Sequence, residues 1–259
     1  MLLADCVAIV SGIGPGLGRS IALAFAREGA DVGLAARTAS ALDAVAAEVE
    51  AAGRRALAVP TDLARAEECR RLAAAAHDAF GRIDVLVNNA FRSGPYEDVD
   101  VSRLEDWRAV FDVNLFGTLA LSQAVVPFMK AAGSGSIVMI NSMSVRIIEP
   151  RFGSYAASKG ALLAAAQTMA KELGGSGIRV NSVVPGYIWG PALERYFAHL
   201  AQQRGTTPAA VYAEVAARTA LGRIPTSDDV AAAVVFFASE LSRAVTGQAL
   251  DVNAGHYFH

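Results

Sequence analysis

The sequence predicts an α/β fold: a doubly wound parallel sheet of about seven strands with helices on both faces. Three observations carry this expectation. Short apolar, β-branched runs alternate with Ala-rich helical stretches along the whole 259-residue chain. The runs lack a polar alternate, as strands do when both faces of their sheet are buried. A glycine-rich loop follows the first run and opens the first helical stretch, the arrangement of a nucleotide-binding βαβ unit.

The strands are expected at Cys6–Val10, Asp31–Ala35, Arg55–Val59, Val85–Asn88, Ser136–Ile140, Arg179–Val184 and Gln248–Val252. Between them, helices are expected at Leu17–Glu28, Ala39–Ala52, Ala66–Phe80, Ser102–Ala131, Gly153–Leu173 and Ser227–Ser239. The Ala, Leu and Met content of Ala161–Leu173, with no proline, makes that helix the clearest. Tyr187–Leu221 breaks the rhythm, being far longer than one connecting helix needs, and reads as a lid or binding loop. No linker, repeat or low-complexity tract divides the chain, so residues 1–259 are expected to form one domain.

Composition narrows the function classes. With 53% hydrophobic and 19% charged residues, the chain is built for a packed core. A net charge of −2 offers no basic field for nucleic acid or anionic membrane. Cys6 and Cys69 are far apart, and the four His residues (His256 and His259 included) form no ligand spacing, so neither a disulfide framework nor a metal site is expected. The first residues lack a basic n-region and a cleavage site, and no apolar run approaches membrane-spanning length. A soluble cytoplasmic protein is the expectation.

The first strand runs into Ser11-Gly12-Ile13-Gly14-Pro15-Gly16-Leu17-Gly18-Arg19. Glycines there let the backbone approach a pyrophosphate, whose charge is favoured at the following helix N-terminus. The second strand ends without a carboxylate, and Arg37 stands just beyond it. A missing acid and a present Arg favour the 2′-phosphate of NADP, with NAD possible, and Arg19 is a candidate second phosphate contact. Asp62, after the third strand, either faces the adenine or caps the next helix.

Tyr155 and Lys159 lie four apart at the start of the clearest helix, so phenol and ammonium share one face. A neighbouring cation lowers a phenol pKa toward the range useful for proton transfer. Together with the order of the other motifs, this chain resembles the short-chain dehydrogenase/reductase family over essentially its whole length. The carriers are Ser11-Gly12 to Gly18, Asn88-Asn89-Ala90, Asn114, Ser142 thirteen residues before Tyr155, Tyr155-x-x-x-Lys159, Pro185-Gly186 and Asp251–Gly255.

The resemblance implies a single-domain Rossmann-type oxidoreductase. It would interconvert a ketone or aldehyde with an alcohol on a small, largely apolar substrate. Tyr155 would be the acid/base, and Lys159 would lower its pKa and bind the nicotinamide ribose. Ser142 would hold the carbonyl oxygen, while Asn114 would anchor a water linking Lys159 to solvent, or tie helix backbone to a strand, a role that can coexist with the first. The cofactor would be held by Gly12, Gly14, Gly16, Leu17, Gly18, Arg37, Asp62, Leu63, Asn89, Ala90, Tyr155, Lys159, Pro185, Gly186 and Ile188. Substrate would meet Ser142, its rival Ser144, Tyr155, Tyr187 and Trp189. Family members commonly form tetramers through the two long helices, so a homo-oligomer, dimer or tetramer, is expected through Ser102–Ala131 and Gly153–Leu173.

The chain also departs from the family pattern. Phe91 replaces a glycine, placing a ring beside the adenosine half of the cofactor or shifting Arg92 toward the cleft. Gly190 stands where a carboxamide-binding Thr is common, leaving that contact to Ile188 backbone groups. Lid aromatics Tyr187, Trp189, Tyr196, Phe197 and Tyr212 would wall a ring-bearing or bulky substrate, pack the lid, or line an interface. Arg146, Glu149 and Arg151 are rim charges that read a polar substrate group or stay solvated. A silent cofactor sensor of the same fold is the alternative function. An enoyl reductase fits less well, since members of that type space Tyr and Lys more widely.

Overall fold

A computed structural model describes residues 1–258; His259 lies outside the described residues. The first half runs β1 (Val7–Ser11), α1 (Leu17–Arg27), β2 (Asp31–Ala36), α2 (Ala39–Ala51), β3 (Ala56–Pro60), α3 (Ala66–Phe80) and β4 (Val85–Asn88). Next come α4 (Leu104–Phe111), a π-helical segment (Asp112–Gly117), α5 (Thr118–Ala132), β5 (Gly135–Ile140), α6 (Gly153–Leu173) and β6 (Ile178–Pro185). The lid helices α7 (Pro191–Arg204) and α8 (Pro208–Ala216) follow, then α9 (Ser227–Ala238) and β7 (Ala249–Val252).

The seven strands form one parallel sheet in the order β3-β2-β1-β4-β5-β6-β7. All expected strands are present, with ends displaced by a residue or two. One apolar cluster joins Ile21, Phe25, Val45, Val234 and Phe237 on the α1, α2 and α9 face. The other joins Leu72, Leu121, Val125, Met129 and Leu162 on the α3, α5 and α6 face. Chain order reverses between β1 and β4, which opens a crevice at their carboxyl ends.

Two elements differ from expectation. The fourth helix is one 29-residue run, Leu104–Ala132, long and apolar enough by length and composition to cross a membrane. The helix itself is expected at Ser102–Ala131; its spanning length is not, because Asn114, Thr118, Ser122, Gln123 and Pro127 interrupt the apolar run. Here Val110, Leu121, Val125 and Met129 are buried against the domain. Its π-helical segment surrounds Asn114, and Gly117 brings it close to the strand-3 loop, where a Cβ would stand 2.5 Å from the Leu63 carbonyl oxygen.

The lid also extends further than Tyr187–Leu221. The Trp189 N–H donates to the Pro225 carbonyl at 2.7 Å, and Trp189 bridges Thr226, so the insertion closes on itself at its base. Within it, Phe197, Ala201, Val211 and Ile224 form a separate small core. The C-terminal segment holds the far end: Leu221 N–H donates to Ala254 O at 3.0 Å and Ala220 N–H to Gly255 O at 3.1 Å.

The return from lid to α9 is fixed by a capping box, with Asp229 N–H donating to Thr226 Oγ1 and Thr226 N–H to Asp229 Oδ2. Arg223 grips the same carboxylate at 2.6 and 3.0 Å, holding the Asp229 carboxyl far below the usual carboxylate range. A depressed folded pKa stabilises above the unfolded value and is lost as pH falls toward the folded one. Asp229→Ala should therefore cost about 1 kcal/mol at neutral pH. That cost should shrink below about pH 4 in urea melts followed against pH; a pH-independent cost would contradict this account.

Candidate active site

The carboxyl ends of the strands bring the expected motifs to one edge. At the switch point Ser11 Oγ donates to the Val87 carbonyl at 3.2 Å and accepts from the N–H groups of Asn89 (3.1 Å) and Ala90 (3.4 Å). Asn89 Nδ2 donates to the Gly12 carbonyl at 2.8 Å, fixing the glycine loop against β4. Asn89 thus acts on the loop itself, and the family's Thr position is served by a serine.

The glycines divide by role. Gly12 has φ +77°, and a Cβ on it would lie 2.5 Å from the backbone of Ala90. Gly18 packs its α-carbon against the Gly12 carbonyl, leaving no room for a side chain. Gly14 and Gly16 instead face open space. Helix α1 begins at Gly16 without a side-chain cap, so its first N–H groups are free for an anion.

Beside this loop lies a cavity of about 430 Å³ lined by residues including Gly12, Arg37, Asp62, Leu63, Ala90 and Phe91. Its dimensions, its open glycine cradle and its uncapped helix end fit the adenosine and diphosphate of a dinucleotide. Arg37 is exposed at its rim and makes no ion pair among the described residues. Arg19 is paired with Glu48, which accepts from its Nε and Nη2. Asp62 lines the cavity and accepts from Ala64 N–H at 3.1 Å; the cap position of α3 belongs to Arg65.

At the other end of the cleft, Ser142 leaves β5 in extended conformation, and its hydroxyl accepts from Ser144 N–H at 3.2 Å. The Ser142 hydroxyl also acts on Tyr155, favouring the ionised phenol. Lys159 is buried, donating to the Ile140 carbonyl at 2.7 Å, with its Nζ 5.7 Å from the centre of the Tyr155 ring. Burial pushes the phenol up to about 12, against the influence of Ser142, and burial pushes the ammonium down to about 7. In place of the expected lowering of the Tyr155 pKa by Lys159, burial sets the direction for both groups.

Asn114 has no exposed surface, and its amide is fully engaged. It accepts from Arg92 N–H at 2.7 Å and donates to Arg92 O at 3.0 Å and to Ser158 Oγ at 2.9 Å. Ser158 in turn donates to the Tyr155 carbonyl at 2.7 Å. The side chain therefore ties the post-β4 loop to α6, rather than a helix to a strand.

Substrate-side expectations are met unevenly. Ser144 is buried and its hydroxyl has no partner, so it does not line the open cleft. Trp189 meets Tyr212 edge-on at 4.6 Å and Phe197 at 5.8 Å, which makes it part of the lid's own core. Tyr187 stacks on His256 at 6.2 Å and meets Phe197 at 6.3 Å. Arg146 pairs with Asp251 at 3.5 Å. Pro185 ends β6, and Gly186 sits so close to Asn253 that a Cβ would fall 3.0 Å from it. Ile188 packs against the α1/α9 core. Sequence reading missed Phe152, which stacks on Tyr155 at 4.5 Å; no motif marks it.

Comparison with known proteins agrees with this geometry. The family model described as Enoyl-(Acyl carrier protein) reductase matches residues 12–257. The 3-oxoacyl-[acyl-carrier-protein] reductase FabG of Thermotoga maritima is 34% identical over 257 residues, covering 98% of this chain and 99% of that protein. The 7alpha-hydroxysteroid dehydrogenase of Escherichia coli K12 is 34% identical over 248 residues, covering 96% and 92%. A crystal structure of NAD+-bound xylitol dehydrogenase superimposes with a TM-score of 0.91 at 28% identity, over 98% of this chain and 100% of that one. With its motifs, sheet order and likenesses all spanning nearly the full length, the chain belongs to the short-chain dehydrogenase/reductase family of NAD(P)-dependent oxidoreductases.

Proposed function

We propose that this oxidoreductase interconverts a carbonyl and an alcohol, with Tyr155 as the acid/base. The observation that carries the reading is the convergence of Ser142, Tyr155 and Lys159: a phenol under the influence of a hydroxyl, with a buried amine anchored to Ile140 and 5.7 Å from the phenol ring centre. In this reading Ser142 holds a carbonyl oxygen against the phenol, which gives or takes the proton. Lys159 has one donor on Ile140 and two more to offer the nicotinamide ribose. The bound nicotinamide supplies or accepts the hydride. The description of the matching family model favours a second reading, reduction of an enoyl double bond; a serine beside the tyrosine favours an oxygen-centred reaction instead.

Arg37 at the mouth of the adenosine cavity supports NADPH as the preferred cofactor. The apolar cleft between α5 and α6, about 550 Å³ and including Val126, Pro127, Ala165 and Met169, supports a homodimer or tetramer through these helices. We place the enzyme in the cytoplasm.

NADPH oxidation over a panel of ketones, aldehydes and enoyl thioesters tests the reading. Tyr155→Phe should lower ketone reduction at least about 100-fold while leaving the NADPH dissociation constant within about twofold. Full activity in that variant would overturn the mechanism, and cofactor binding without turnover on any carbonyl would favour a sensor. Because the phenol holds its proton up to about 12, alcohol oxidation should climb steadily from pH 6 to pH 9 and reduction should not. Arg37→Ala should weaken NADPH about tenfold and NADH little, by titration; equal losses would refute the phosphate role. Light scattering should give a multiple of the chain mass that Met169→Glu reduces, and a monomeric wild type would refute the interface.

A further inference from the structure

Tyr155 does not stand alone in the cleft. Phe152 stacks on its ring at 4.5 Å with 27° between planes, and Phe91 meets it edge-on at 6.1 Å. Tyr96 extends the row, 6.2 Å from Phe152. The outer members are open to solvent: Phe91 is 62% exposed and Tyr96 52%. Large apolar side chains left exposed beside a reacting group are surface held for a ligand. Phe91 is also the residue that replaces the family's glycine, so this wall is a feature of this chain.

Two loops build the wall, and Arg151 clasps them. Its guanidinium lies 4.8 Å over the Tyr96 ring and donates to the Tyr96 carbonyl at 3.0 Å, while its own carbonyl accepts from Glu97 N–H at 3.0 Å. It does so with φ +69°, a left-handed conformation unfavourable for a side-chain-bearing residue. The residue directly after it is Phe152. Arg151 is therefore a positioning residue, holding the 91–97 and 146–152 loops at the spacing that keeps Phe152 on Tyr155.

We infer that the Phe91–Tyr155–Phe152–Tyr96 wall selects substrates that present a flat ring next to the carbonyl, as in aryl or fused-ring ketones. Ring pairs prefer the offset and edge-on arrangements this row already adopts, and gain from them beyond the area they bury. An acyclic aliphatic ketone of equal size buries similar area without that gain and loses more rotamer freedom on binding. The lid aromatics do not supply this selection, since Trp189 and Tyr187 are engaged within the lid and with His256.

This inference rests on the carbonyl-reductase reading, and one experiment separates the two. The ratio of kcat/KM for 2-tetralone to that for 2-decanone is measured at saturating NADPH in wild type, Phe91→Ala and Arg151→Gly. Glycine accepts the positive φ while removing the guanidinium. Circular dichroism melts confirm that the variants fold, and using a ratio cancels changes in cofactor affinity. The wild-type ratio should exceed about 10, and each variant should lower it at least about fivefold. A wild-type ratio near 1, or a ratio unchanged by both substitutions, overturns the aromatic wall while leaving carbonyl reduction intact. Turnover of neither ketone, with enoyl substrates reduced instead, overturns both.

Discussion

Burying an amine beside a phenol is the constraint on which the rest of this site depends. Lys159 is buried, and among the described residues its amine donates to the Ile140 carbonyl at the end of β5. That bond ties α6 to the sheet at the point where the nicotinamide half of a dinucleotide is expected. Holding α6 there requires support from the opposite side. The chain from Arg92 through Asn114 and Ser158 to the Tyr155 carbonyl provides it, each link a hydrogen bond of 3.0 Å or less. The π-helical segment belongs to the same design. Local widening of a helix is uncommon and concentrates at functional sites, and here it carries the Asn114 amide into the gap between loop and helix.

The nucleotide end follows a different logic, resting on what is absent from side chains. Gly12 and Gly18 permit close backbone approach between the loop, β4 and α1. Gly14 and Gly16 leave surface for a ligand. A side chain at the first pair would collide with backbone, and one at the second would occupy the open space. Ser11 and Asn89 lock the two strands that flank the switch point, so the crevice is preformed rather than gathered around its ligand.

Much of this was legible in the sequence because it depends on local pattern. Strand runs, the glycine loop and the Tyr155–Lys159 spacing are all short-range signals, and they located the sheet edge correctly. What escaped depends on long-range contacts. The pairing of Arg19 with Glu48, 29 residues on, is one such contact. Trp189 and Tyr187 read equally as cleft walls or as lid packing, and only the contacts with Phe197 and Tyr212 show the lid's own core. Phe152 and Arg151 carry no motif, and their roles emerge only where two loops meet. The pKa balance was also hidden, since proximity of charge is visible in spacing but the depth of burial is not.

The central claim is that Ser142 and Tyr155 act together on one oxygen atom. A double-mutant cycle on kcat/KM for ketone reduction, using Ser142→Ala, Tyr155→Phe and the combined variant, tests it most directly. Groups that serve a single proton-transfer event lose their effect together, so the double variant should be no more than about threefold slower than Tyr155→Phe alone. Losses that multiply in full would mean that the two side chains act independently, and would contradict the account.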